Sequence, residues 1–430
     1  MELVTTIVFG VLFFALIMVS VALHEVGHMV PAKKFGVRVP QYMVGFGPRI
    51  WSTTRGDTEY GLKWFPLGGY VRLLGMYPPG SKRDGKASRL AEFADSARAY
   101  EWETITPDDV VGGRLFYQKK TWQKLIIMFG GPLMNILIAF GLFWAITGLY
   151  GVYRPQTTIA QVQQCVIPAD ANRSTCEPGD PPTPAAQAGF TVGDKVLTFN
   201  GTQITSYDQL SGLIRANLDG EARISVERAG SVVALTPVHT IVTGVRDNWD
   251  PGKVIPAGWL GVAPEQVLTT GGPLVVLDDM WTMTVQSATA LVQFPVKVWN
   301  VVVDLVTGQP RDIYGPLSIL GASQVAGEVV TTPDLPWQAK VVTFASLLGS
   351  INLFLAVFNL VPLPPLDGGH MLGAVWEGLR RRFAQLVRRP DPGPFDTAKL
   401  LPVAYVVGGL LMLSGAVLIL ADIISPMQLF

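Results

Sequence analysis

Four stretches of this 430-residue chain carry no Asp, Glu, Lys or Arg: residues 3–23, 125–153, 341–366 and 400–421. A helix needs about 20 apolar residues to cross the hydrocarbon core of a bilayer. Each run is long enough, so four transmembrane helices are predicted. The composition agrees, with 49% hydrophobic and only 15% charged residues, which is too apolar for an ordinary soluble chain. The first run is too long for a cleavable signal peptide and lacks its basic start. The formal net charge is zero, and nothing in it points to a nucleic-acid partner.

Basic residues orient the spans. Sixteen Lys and Arg lie in residues 24–124 and six in 367–399, against eleven in the longer stretch 154–340. By the positive-inside rule the first two segments are cytoplasmic. The N-terminus, the loop 154–340 and the C-terminus are then outside, in an inner or plasma membrane.

Chemistry begins where the first run ends. Residues 24–28 read His24-Glu25-Val26-Gly27-His28. On a helix, positions i and i+4 share a face, so two imidazoles can hold one Zn²⁺ with Glu25 beside them as general base. Catalytic zinc takes a third protein ligand. No His or Glu follows soon enough to supply one in the usual soluble pattern. The third run instead ends in Asn359-Leu360-Val361-Pro362-Leu363-Pro364-Pro365-Leu366-Asp367-Gly368-Gly369. The prolines must break the helix, and the break frees Asp367 to turn toward a metal. Counting about 1.5 Å per residue from the outer face, His24 and Asp367 both reach the cytoplasmic end of their spans. His239 lies far from this site, and His370 reads as a supporting or structural residue.

The helix motif together with Asn359, Pro362, Pro364, Leu366, Asp367 and Gly368 resembles the site-2 protease family. Gly131-Pro132-Leu133-Met134-Asn135, Gly45-Phe46-Gly47-Pro48 and Pro66-Leu67-Gly68-Gly69-Tyr70-Val71 resemble further segments of the family's bacterial group. A single PDZ-like region and two cysteines in an outer loop look closest to actinobacterial members. The resemblance implies His24, His28 and Asp367 as ligands of one Zn²⁺, Glu25 as the base, and Asn359 as a catalytic donor to substrate or oxyanion. Gly45, Phe46, Gly47, Asn135 and Pro362 are the candidate substrate contacts. It further implies a transmembrane protein substrate such as an anti-sigma factor or a signal-peptide remnant, already cut outside by an upstream site-1 protease, in regulated intramembrane proteolysis.

The predicted fold class is membrane α-helical: four transmembrane helices, a juxtamembrane β-hairpin and one extracytoplasmic PDZ-like α+β domain. Residues 1–35 form the first span and 36–121 a cytoplasmic, membrane-associated hairpin with a polar insertion. Residues 122–153 form the second span. Residues 154–272 form an outer loop with the PDZ-like domain at about 184–239. Residues 273–337 are predicted as outer amphipathic helices, 338–376 as the third span, 377–399 as a basic loop and 400–424 as the fourth span. The hairpin over 42–72, with its turn at Arg55-Gly56-Asp57, offers a strand edge to an extended substrate. The polar stretch 77–113 has no assigned role. Cys165 and Cys176 either pair or remain thiols. Two other classes match parts of the pattern: a membrane PDZ scaffold with an inactive zinc site, and a zinc-binding transporter or sensor.

Overall fold

The computed structural model describes residues 2–79, 89–167, 175–247, 253–313, 315–333 and 335–427. In chain order the elements begin with α1 (Glu2–Lys34), β1 (Gln41–Arg55), β2 (Thr58–Arg72), α2 (Arg89–Trp102), α3 (Pro107–Val111) and α4 (Thr121–Ala145). Next come β3 (Val152–Val162), α5 (Pro184–Ala188), β4 (Lys195–Phe199), β5 (Thr202–Gln203), α6 (Tyr207–Ala216), β6 (Glu221–Ala222) and β7 (Ile224–Arg228). Then follow β8 (Ser231–Ala234), β9 (Val238–His239), β10 (Ile241–Arg246), β11 (Val254–Trp259) and β12 (Val262–Thr269). The last are α7 (Pro273–Thr307), α8 (Ile319–Thr331), α9 (Trp337–Asn359), α10 (Asp367–Leu386) and α11 (Leu401–Ile424). The chain divides into two compact units, Met1–Trp144 with Val275–Phe430, and Ala145–Leu274.

In the first unit, α1, α4, α7, α9 and α11 are long and apolar enough to cross a membrane. They suit a multi-pass membrane protein. That is one helix more than the four charge-free runs. The extra one is α7, a single 35-residue helix where shorter amphipathic helices were expected, and it carries Asp278, Asp279, Lys297 and Asp304. Small residues let neighbouring helices approach. Gly27 of α1 and Gly130 of α4 lie backbone to backbone, and Gly327 of α8 lies against Thr6 of α1 with no room for a Cβ at either contact. Phe13, Ile17, Ala326 and Leu348 form one apolar cluster joining α1, α8 and α9.

The segment 338–376 holds two helices, with the break at the prolines. α9 stops at Asn359 because Pro362, Pro364 and Pro365 follow. α10 then restarts at Asp367 and runs to Leu386, so Arg380–Arg382 lie in a helix and not in the expected loop. Gly368 and Gly369 lie where any Cβ would strike the backbone of the proline turn. A buried Lys124–Glu377 ion pair at 2.8 Å ties α10 to the start of α4.

The insertion 77–113 folds in part into α2 and α3; its residues 80–88 lie outside the described residues. Buried Glu101 accepts the backbone N–H groups of Gly75, Met76 and Tyr77 at 2.8, 2.8 and 3.0 Å. Burial pushes its carboxyl above the usual range, against the pull of those three donors. Arg98 pairs with Asp396 at 3.0 Å, tying α2 to the segment before α11.

The second unit has a mixed α/β core. Its main sheet has the order β12-β3-β4-β7-β8, with β5 paired to β4. The Asn200-Gly201 turn after β4 is left-handed at both residues, as such a dipeptide allows. Ile159, Phe199, Leu210, Ile214, Ile224 and Val226 fill the core. Helix α6 is capped by Ser206, whose side chain accepts from Gln209 N. Asp194, fully buried, accepts from Arg228 at 2.7 Å and from Thr191. Burial alone raises a carboxyl, but here Arg228 and Thr191 outweigh it and hold Asp194 below its usual range. Cys165 and Cys176 form a disulfide.

Candidate active site

His24 and His28 are one turn apart on α1 and both buried, with 8% and 4% exposure. Asp367, the first residue of α10, meets them. His24 Nε2 is 3.3 Å and His28 Nε2 3.2 Å from Asp367 Oδ2, and the two Nε2 atoms are 3.2 Å apart. His28 Nδ1 donates to the Ile127 carbonyl at 2.8 Å, which leaves its Nε2 with a free lone pair. Asp367 Oδ2 has no hydrogen-bond partner. Three lone-pair atoms thus converge without a donor to satisfy them.

A tetrahedral zinc with bonds of about 2.0–2.1 Å sets its ligand atoms about 3.3 Å apart. The observed triangle has that size, and two imidazoles with one carboxylate form a donor set suited to catalytic zinc. The residues therefore fit the metal. Among the described residues, this is the one group of three or more His, Cys, Asp or Glu side chains able to hold an ion.

Two neighbouring elements close around the triangle. A Cβ at Gly131 of α4 would overlap His28 Nε2 and lie 2.6 Å from His24 Nε2, so only glycine lets α4 pass here. Half-buried Glu25 interacts electrostatically with His24, His28 and Asp367 and with the Val71 backbone of β2. Gly69 of β2 also lies against it, where a Cβ would come within 3.3 Å of Glu25 Cγ. In the hairpin, residues 41–44 pair on one side with 59–62 and on the other with 69–72. The far side of 69–72 has no strand partner among the described residues.

The remaining predicted residues are spread around this centre. Asn359 is the last residue of α9 and half-buried; Pro362 is exposed in the turn that follows. Asn135 is buried in α4, one turn beyond Gly131. Gly45 and Gly47 on β1 have φ of +88° and +83°, a left-handed backbone that favours glycine. They flank Phe46, which is 45% exposed and pairs with Phe65. The motifs missed the Ile127 carbonyl, Ser20 and Asn352. Asn352 is fully buried and gives its Nδ2–H to Ser20 Oγ at 3.1 Å, one turn before His24. An amide and a hydroxyl inside charge-free runs were the available signal.

Known proteins resemble the chain along nearly its whole length. Residues 12–388 match peptidase family M50. Zinc metalloprotease Rip1 of Mycobacterium tuberculosis is 34% identical over 442 residues, covering 98% of both chains. Metalloprotease MmpA of Caulobacter vibrioides is 28% identical over 382 residues, covering 85% of both. Zinc metalloprotease RasP of Oceanobacillus iheyensis is 26% identical over 431 residues, covering 87% of this chain and 91% of its own. With a family match this long, actinobacterial relatives this similar and a donor triangle of this size, the chain belongs to peptidase family M50, the site-2 protease family, and is a zinc metalloprotease.

Proposed function

We propose that this protein hydrolyses peptide bonds in single-pass transmembrane substrates, at one zinc held by His24, His28 and Asp367 near the cytoplasmic side of the membrane. The observation that carries the reading is the donor triangle with Glu25 beside it in the last third of a membrane-length helix. When bound, zinc supplies Lewis acidity that makes water nucleophilic near neutral pH and polarises the scissile carbonyl. Glu25 takes the proton from water and returns it to the leaving amine. Asn359 donates to the substrate or to the developing oxyanion. His28, fixed by the Ile127 carbonyl, keeps its ligand nitrogen in register.

The substrate binds extended, as one more strand on the 69–72 edge beside Glu25. Gly45, Phe46, Gly47, Asn135 and Pro362 contact it. Anti-sigma factors and signal-peptide remnants, already cut by a site-1 protease, are the substrate class. The second unit acts as a PDZ-like substrate filter outside the cytoplasm, where an oxidising compartment suits its disulfide.

Four spans, α1, α4, α9 and α11, cross the bilayer, with both termini outside. What supports four and not five is the packing of α7. Its Val276 and Met280 cluster with Ala139 of α4. Its Val301 clusters with Leu418 and Ala421 of α11. Both contact points lie about 26–30 Å from the cytoplasmic starts of α4 and α11, which supports α7 staying near one depth.

The test is cleavage of a reporter transmembrane segment by the purified chain in detergent, wild type against Glu25→Gln. The expected result is zinc retained and hydrolysis lost by about 10²–10⁴-fold. Equal cleavage by both proteins overturns the assignment of Glu25. Zinc uptake with no cleavage by either protein favours the transporter or scaffold alternatives.

A further inference from the structure

One buried polar atom on each of α1, α4 and α9 has no hydrogen-bond partner among the described residues: His24 Nδ1, Asn135 Oδ1 and Asn352 Oδ1. The three residues are 8%, 1% and 0% exposed. His24 turns Nε2 toward Asp367, so its ring hydrogen belongs on Nδ1. The set is therefore one donor and two acceptors.

Helix register brings Asn135 and Asn352 to one level, one turn from His24. Gly131 touches the His24 ring, and Asn135 is one turn further along α4. Ser20 is one turn before His24 on α1 and receives Asn352 Nδ2–H. The two runs Gly27–His24 on α1 and Gly130–Gly131 on α4 pass each other in opposite directions. Both one-turn steps therefore lead the same way from His24, toward the outer half of the unit. Asn352 gives its second N–H to Leu348 O at 2.8 Å. Both hydrogens of its amide are used, so the oxygen is left to accept.

We propose that His24 Nδ1, Asn135 Oδ1 and Asn352 Oδ1 form a binding site for one structural water. The water accepts His24 Nδ1–H and donates one hydrogen to each carboxamide oxygen. Three bonds are the usual complement of a buried water, and here they use all three orphaned atoms. Asn352 is then a positioning residue that acts on the metal through the water and the His24 ring. Asn135 keeps its Nδ2 for the substrate. A role for Asn352 as helix glue alone accounts for its bonds to Ser20 and Leu348 and leaves all three atoms unpaired. The inference rests on the reading of His24 as a zinc ligand.

The test measures zinc dissociation constants by chelator competition on the purified full chain, together with the melting midpoint of the metal-free protein. Asn352→Leu and Asn135→Leu are each expected to weaken zinc binding about 10–100-fold. The double variant is expected to be no weaker than the worse single one, because both changes remove the same water. Should Asn352→Leu not fold, Asn135→Leu and the milder Ser20→Ala, expected to lose a few-fold, carry the same readout. Unchanged zinc affinity, or losses that add in full, overturns the water site, and a lowered melting midpoint with wild-type affinity assigns Asn352 to glue. Wild-type protein that binds no zinc, or His24→Ala protein that binds it fully, overturns the ligand reading instead.

Discussion

The two units differ in one respect: the second pairs its buried carboxylate, whereas the first, beside pairs such as Lys124–Glu377, keeps one cluster of polar atoms unpaired. In the second unit, Asp194 is fully buried and fully paired, bonded to Arg228 and Thr191. It completes a fold whose core is otherwise apolar. In the first unit, buried His24, Asn135 and Asn352 and the partly exposed Asp367 each leave one covered atom unpaired. Unpaired buried polar atoms are costly, and polar groups among membrane-length helices must find partners within the protein or in a cavity it lines. The second unit spends its polar groups on its own stability. The first gathers these unpaired atoms at and beside the proposed metal site.

The largest expected effect is at the proposed metal site. Asp367→Ala is expected to abolish zinc binding and reduce hydrolysis to background, while the melting of the second unit is unchanged; metal analysis with differential scanning calorimetry reads both. Melting of the second unit that moves with zinc content would break the comparison.

Next is Gly131→Ala, whose new methyl overlaps His28 Nε2. Displacing a ligand by about 1 Å is expected to cost on the order of 100-fold in kcat/KM, read with the reporter segment. Activity within two-fold of wild type would show that α4 can yield at no cost.

In the second unit, Asp194→Asn removes the charge from both hydrogen bonds to Arg228 and is expected to lower the stability of that unit, with zinc affinity unchanged. The sign in pH follows from the lowered pKa of Asp194. Its contribution is complete above the ordinary Asp value near ~4 and is lost as pH falls through the lower folded value. Denaturant midpoints measured between neutral and acid pH should show this loss in wild type and not in the variant.

The smallest effect is loss of the disulfide. Cys165→Ser with Cys176→Ser opens a loop of sequence separation 11, expected to cost about 2.5–3 kcal/mol at most by chain entropy. Urea unfolding of the isolated transition of the second unit measures it, and a shift in zinc affinity would contradict the separation of roles.

Much of this was legible locally. The His24-Glu25-x-x-His28 face follows from helix period alone. The stop at Asn359 follows from proline chemistry, and the strand and turn at Asn200-Gly201 from the left-handed preference of that dipeptide. Glu101 was not legible, because a carboxylate that gathers three N–H groups from Gly75–Tyr77 looks like any surface Glu until the chain folds back. Nor was the lie of α7, whose composition allows both a span and a surface helix.

The sequence by itself determined that this chain carries membrane-length apolar runs, and it pointed to two histidines and one carboxylate as a zinc donor set. Runs without charge, helix period and proline breaks are properties of neighbours along the chain. Only the tertiary structure decided that Gly131 lets α4 reach the histidines, that residues 69–72 present an edge beside Glu25, and that Ser20 meets Asn352. Those contacts join residues remote in sequence, and a missing Cβ or an unpaired amide acquires meaning only from what packs against it.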